Sequence, residues 1–132
     1  MNTAIYDANG IHEVSIDSLL NQKRIIYIEG EIDDAMAVKV SKKLSQLAQE
    51  DVYETVKIFI NSSGGSIDAG MVIYDIIQSA PMPIKTYCLG KAYSMAAVLF
   101  SCGQHGRYLL PHSKVMIHEP LIPYGAGGKT SS

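Results

Sequence analysis

Val56-Lys57-Ile58-Phe59-Ile60-Asn61-Ser62-Ser63-Gly64-Gly65-Ser66 is the stretch from which the fold is read. Val56 to Ile60, rich in β-branched and aromatic side chains, predicts a strand, and the tandem glycines after it predict a sharp exit. Ser66 then caps a helix over Ile67 to about Ser79, whose apolar positions are Met71, Ile73, Tyr74 and Ile77, until Pro81 and Pro83 stop it. Past the prolines, Ile84 to Leu89 reads as another strand, ended by Gly90. Upstream, Arg24-Ile25-Ile26-Tyr27-Ile28-Glu29 is a strand closed by Gly30. Asp33 or Asp34 caps the helix that follows it, with Val40, Leu44, Leu47 and Ala48 at i, i+4, i+7 and i+8. Strands alternating with helices in this order imply βαβ crossovers and a largely parallel sheet.

Downstream, Ala92 to Cys102 has helix-forming composition and no charged side chain, so it predicts a helix buried all round, ended by Gly103. Two short β-like runs follow, Arg107 to Leu110 and Lys114 to Ile117, separated by Pro111-His112-Ser113. The last segment, Gly125 to Ser132, has no apolar periodicity. Lys39, Lys42 and Lys43 fall on the polar side of their helix and read as a solvated face rather than a docking patch.

A chain of 132 residues fits one domain. With 47% hydrophobic and 18% charged residues it can repay the entropy of folding, which excludes wholesale disorder. A net charge of -2 leaves no basic surface for nucleic acid or anionic membrane. The first twenty residues carry Asp7, Glu13 and Asp17 without Lys or Arg, so no signal peptide is expected. The longest apolar candidate, Ala92 to Cys102, is eleven residues, short of the roughly 18 a membrane span needs. Cys88 and Cys102 sit inside apolar segments and read as buried thiols of a cytoplasmic protein.

Three groups of residues carry chemistry. Asn61-Ser62-Ser63-Gly64-Gly65-Ser66 places backbone N–H groups at the positive end of a helix, where an oxyanion or phosphate would be stabilised; a plain tight turn has the same sequence. Ser94, at the start of the uncharged helix, presents a hydroxyl near further helix N–H groups, though a first-turn capping serine reads alike. The Gly-x-Ser-x-Gly elbow of α/β-hydrolases is not met. His118 closes an apolar strand 24 residues after Ser94, and imidazole is the side chain suited to act as base near neutrality. His12, His105 and His112 lie near the N-terminus or in loops and are weaker candidates.

Ile60-Asn61-Ser62-Ser63-Gly64-Gly65-Ser66 with Ala69-Gly70-Met71, then Ala92-Tyr93-Ser94-Met95-Ala96, then Leu110-Pro111-His112-Ser113 and Val115-Met116-Ile117-His118-Glu119-Pro120, together resemble the proteolytic subunit of the Clp protease. The resemblance runs in order from about Ile26 to Pro123. It implies a crotonase-like α/β fold of repeated ββα units with a buried central helix. It implies a cytoplasmic serine endopeptidase that needs no metal or cofactor, whose subunits form stacked seven-membered homo-oligomeric rings fed by an ATP-dependent unfoldase. Carried over by position, Ser94 is the nucleophile, His118 the general base, and Gly65 and Met95 supply the backbone N–H groups of the oxyanion hole. Residues 25–123 would then be the head domain, 1–24 an N-terminal segment, and 124–132 the Gly/Ser-rich start of the ring-stacking region.

Departures from the family pattern are specific. Ser63 stands where Pro is usual, Tyr93 replaces a small residue beside the nucleophile, and Glu119 stands for Gln. The third triad member, an Asp well downstream of the histidine, is not in this sequence, which ends at Ser132, so the resemblance is to a C-terminally truncated member. Glu119, Asp68 and Asp75 match no triad position. Weak activity is therefore expected, with a catalytically silent ring or scaffold subunit and a crotonase-type acyl-CoA enzyme as the alternatives.

Overall fold

Ile26 and Ile28, then Val56, Ile58 and Ile60, then Ile84, Thr86 and Cys88 all face one side of a sheet and are buried there. That alternation is the period of two along three parallel strands. The structure, a computed structural model, describes residues 2–7 and 10–117. In chain order the elements are β1 (Asn2–Asp7), β2 (Gly10–Ser15), α1 (Ile16–Gln22), β3 (Ile25–Glu29), α2 (Asp34–Glu50) and β4 (Val56–Ser62). They continue with α3 (Ile67–Ser79), β5 (Ile84–Tyr93), α4 (Met95–Phe100), β6 (Arg107–Leu109) and β7 (Lys114–Met116). β1 and β2 form an antiparallel pair that the periodicity of residues 1–24 did not announce.

The main sheet runs β3-β4-β5-β6 and is parallel throughout, with β7 also paired to β5. The long β5 holds two partners in succession: Thr86–Cys88 pair with β6 and Lys91–Tyr93 with β7. Gly90, at φ 75°, lies between the two halves. The strand expected to end at Gly90 therefore continues to Tyr93, and the helix expected from Ala92 shortens to Met95–Phe100. Ladder hydrogen bonds to β7, with the strand preference of Tyr93, outweigh the local helix preference of Ala92.

α2, α3 and α4 contribute to one core against the inward sheet face: Val40, Leu44 and Leu47 from α2, Ala69, Ile73 and Ile77 from α3, Ala96 and Leu99 from α4. Asp33 caps α2 through a 2.8 Å bond from the Met36 N–H, and Ser66 caps α3 through a 3.1 Å bond from the Ala69 N–H. Met71, expected inward, faces out instead, because Ala69 and Gly70 take the inner side of that turn. α4 is buried as its uncharged sequence predicts, with only Val98 partly exposed. Arg24, at φ 61°, sends its guanidinium to the Leu47, Asp51 and Glu54 carbonyls and so closes the C-terminal end of α2.

The opposite sheet face carries a ladder of rings. Tyr27, Phe59, Tyr87 and Tyr108 occupy matched register positions on β3, β4, β5 and β6. Their centroids are 5.3, 4.7 and 4.8 Å apart, with near-parallel planes. No described helix is long and apolar enough to cross a membrane.

Candidate active site

β4 ends not at Ile60 but at Ser62, which keeps the inward alternation and is fully buried. Its hydroxyl donates to the Gly30 carbonyl at 2.6 Å and accepts the Gly64 N–H at 3.0 Å. The glycine turn is further stitched to the segment after β3: the Ile32 N–H donates to the Gly64 carbonyl (3.0 Å), and the Ser66 N–H to the Ile32 carbonyl (2.8 Å). Gly64 has φ 106° and Gly65 φ 154°. A Cβ on Gly65 would stand 2.7 Å from the Ile32 nitrogen, and one on Gly64 would stand 3.0 Å from the Tyr93 carbonyl oxygen and 3.1 Å from Ser94 Cβ. Two loops separated by thirty residues thus meet through backbone, which only glycine permits.

Ser94 forms the other side of that contact. It has φ 58° and ψ -123°, a conformation rarely adopted by a residue with a side chain. It occupies the N-cap position of α4, yet its side chain makes no capping hydrogen bond. The capping role that a serine usually plays there is therefore absent, and the hydroxyl is left for other work. The turn is held by main chain alone: the Ser94 N–H donates to the Met116 carbonyl at 2.9 Å, and its carbonyl accepts from Ala97 at 2.9 Å and Val98 at 3.3 Å. Met95 is buried, with its side chain seated where Gly70 of α3 leaves room.

Among the described residues, the Gly65 and Met95 N–H groups donate to no acceptor. The Met95 nitrogen is 3.5 Å from where a Cβ on Gly64 would lie. The unpaired Met95 amide adjoins the strained serine and the unpaired Gly65 amide belongs to the glycine turn packed against it, an arrangement able to stabilise negative charge developing on an oxygen. Beside it opens a cleft of about 540 Å³, lined by Gly30, Glu31, Asn61 to Gly65 and Lys91. It lies at the carboxyl ends of β3 and β4 and reaches the serine turn through Gly64, Ser94 itself not being part of its wall.

His118, Glu119 and residues 124–132 lie outside the described residues; β7 ends two positions before His118. Of the other histidines, His105 Nδ1 accepts the Ile84 N–H at 3.4 Å, at the far end of β5 from Ser94, and His112 sits on the loop between β6 and β7. Both cysteines are buried and unpaired. Burial pushes both thiols up, Cys102 to about 11, against the partial relief given by Arg107 to Cys102. No cluster of three or more His, Cys, Asp or Glu gathers among the described residues. Ser62 lies inside the glycine-turn motif and Lys91 just before the serine motif, yet the sequence assigns neither a role, and Glu31 falls in no motif.

A parallel sheet backed by helices, with paired amides at a strand-to-helix turn, defines an α/β protein of the crotonase-like class. The chain belongs to the Clp protease family, whose model matches residues 8–131. It is 41% identical over 119 residues to the ATP-dependent Clp protease proteolytic subunit 1 of Mycobacterium leprae, covering 89% of this chain and 57% of that protein. It is 46% identical over 112 residues to the corresponding subunit 1 of Chlamydia felis, covering 84% of this chain and 55% of that protein. The chloroplastic subunit 3 of Arabidopsis thaliana is 43% identical over 120 residues, covering 90% of this chain and 38% of that protein. The chain spans about half the length of the curated relatives it matches, or less.

Proposed function

We propose that the chain is a Clp-type serine endopeptidase subunit in which Ser94 is the nucleophile and His118 the general base. His118 takes the hydroxyl proton as Ser94 Oγ adds to the scissile carbonyl carbon, and the Gly65 and Met95 N–H groups hold the resulting oxyanion. The proton passes to the departing amine, leaving an acyl-enzyme that water then hydrolyses. No metal or cofactor takes part. The observation that carries this reading is the Ser94 turn itself: a positive-φ serine, its hydroxyl uncommitted, packed on the glycine turn, with unpaired amides at Met95 and at Gly65 of that turn. The family membership and the relatives' description as ATP-dependent proteolytic subunits support it.

The substrates on this reading are unfolded polypeptides, delivered by an ATP-dependent unfoldase to homo-oligomeric rings of seven subunits in the cytoplasm. Residues 25–123 form the head domain, and 124–132 begin the region that stacks the rings. Residues 1–132 hold no aspartate after Asp75 to orient His118, so slow peptide turnover is the outcome expected when these residues are assayed by themselves. In a serine protease, loss of that acid costs about 10⁴ in turnover. A fluorophosphonate probe tests the assignment: slow modification of Ser94, abolished in Ser94→Ala and slowed further in His118→Ala, is expected. Modification of another serine with Ser94 untouched overturns it.

A further inference from the structure

We infer that the buried Ser62 hydroxyl is the positioning group of the oxyanion hole: it takes up the Gly64 N–H and anchors it to β3, leaving the neighbouring Gly65 N–H as the amide free to meet substrate. The inference rests on the peptidase reading above and adds to it a residue with no role in bond making.

Ser62 is a polar side chain on the inward face of β4, in line with Val56, Ile58 and Ile60. A hydroxyl there must find partners or destabilise the core. It finds two, and they point in different directions along the chain. One is the Gly30 carbonyl, 32 residues earlier, at 2.6 Å; the other is the Gly64 N–H at 3.0 Å. A hydroxyl has one proton to donate, so the short bond to Gly30 fixes its orientation and aims a lone pair at Gly64. The second contact to the Gly64 carbonyl, at 3.4 Å, is too long to compete.

The consequence falls on the next peptide. Within the turn, Gly64 donates to Ser62 Oγ, Ser66 donates to Ile32, and the Gly64 carbonyl accepts from Ile32. The Gly64 and Ser66 N–H groups on either side are thereby occupied, and the Gly65 amide between them is left unpaired. Gly64, whose backbone Ser62 holds, is also the residue in contact with Tyr93, Ser94 and Met95. Ser62 therefore sets the distance between the two amides and the nucleophile. Ser63, a residue without proline's fixed φ, follows it directly, so the hydroxyl acts with the Ile32 backbone bonds to keep this turn in one conformation.

The test measures phosphonylation of Ser94 by a small fluorophosphonate, whose phosphoryl oxygen enters the oxyanion hole, in wild type, Ser62→Ala and Ser62→Cys. Both variants keep the volume of the site within one atom, and both remove the hydroxyl. The inactivation rate constant is expected to fall about 10- to 100-fold, the scale of a displacement near 1 Å, with the probe's half-saturating concentration unchanged. A purely structural role would instead lower the melting temperature and leave the rate constant of the folded fraction intact. Amide hydrogen exchange on the wild type, followed by NMR, gives a readout that needs neither variant nor activity: Gly64 is expected to be protected at least about 10-fold more than Gly65. Labelling of Ser94 at the wild-type rate in both variants, or equal protection of the two glycines, overturns the inference and leaves the peptidase reading standing. Wild-type chain modified elsewhere than at Ser94 overturns both.

Discussion

Gly65 tolerates no side chain, and the reason is local. Its φ of 154° and the nearby Ile32 backbone leave a Cβ no room, the partner being main chain that cannot rotate away. Gly65→Ala is expected to cost about 2–4 kcal/mol in denaturant melts and to abolish Ser94 modification, since strain and overpacking each contribute at this scale. Cys102 gives a pH-dependent counterpart. Its thiol ionises near 11 when folded, against an ordinary value of 9.0, so the unfolded chain loses that proton first as pH rises. Stability should be intact below about pH 9 and decline between 9 and 11, and Cys102→Ala should flatten the decline in a pH series of thermal melts. How far such residues were legible in the sequence depends on what marks them. Ser94 and Gly65 stood out through their motifs. Ser62 did not, although period-two alternation from Val56 places it inward, where a polar group always needs explaining. The contact of Gly64 with Ser94 joins positions thirty residues apart, and nothing in local pattern announces it.

At the scale of elements, the strands and helices from Ile25 to Ser79 follow their propensities closely, and α3 spans Ile67–Ser79 as its cap and prolines predict. The misreadings cluster where tertiary pairing decides. Gly90 reads as a strand stop, yet β5 bends through it to collect β7. The antiparallel β1–β2 pair has no counterpart in the sequence reading of residues 1–24. α4 is only six residues long, so packing rather than helix propensity must hold it. Leu99, fully buried at its centre, should cost about 2–5 kcal/mol as Leu99→Ala, and a change within error would show that the helix is not a core element. Gly70→Ala tests the contact between α3 and α4. The new methyl must displace the Met95 side chain, so Ser94 modification should slow while helix propensity offsets part of the stability loss.

Across the whole molecule, the helices cover one face of the sheet and leave the other to the aromatic ladder and an apolar edge. Leu109, Leu110, Met116 and Ile117 are all exposed there, Ile117 at 76%. Exposed apolar clusters on this scale mark contacts between chains. Size-exclusion chromatography with light scattering should show a self-associated species, reduced to a smaller mass by Leu109→Lys with Ile117→Lys. An unchanged mass in that variant would place the contact elsewhere. The ladder has one more consequence, and it is optical. The chain contains no tryptophan, so its near-ultraviolet circular dichroism and its fluorescence come from eight tyrosines and two phenylalanines. Four of those ten chromophores are stacked within 5.3 Å of a neighbour, one on each strand from β3 to β6. A one-residue slip of any strand would move its ring to the opposite face and uncouple it from the stack. The protein thus carries a built-in spectroscopic gauge of strand register, readable without a label.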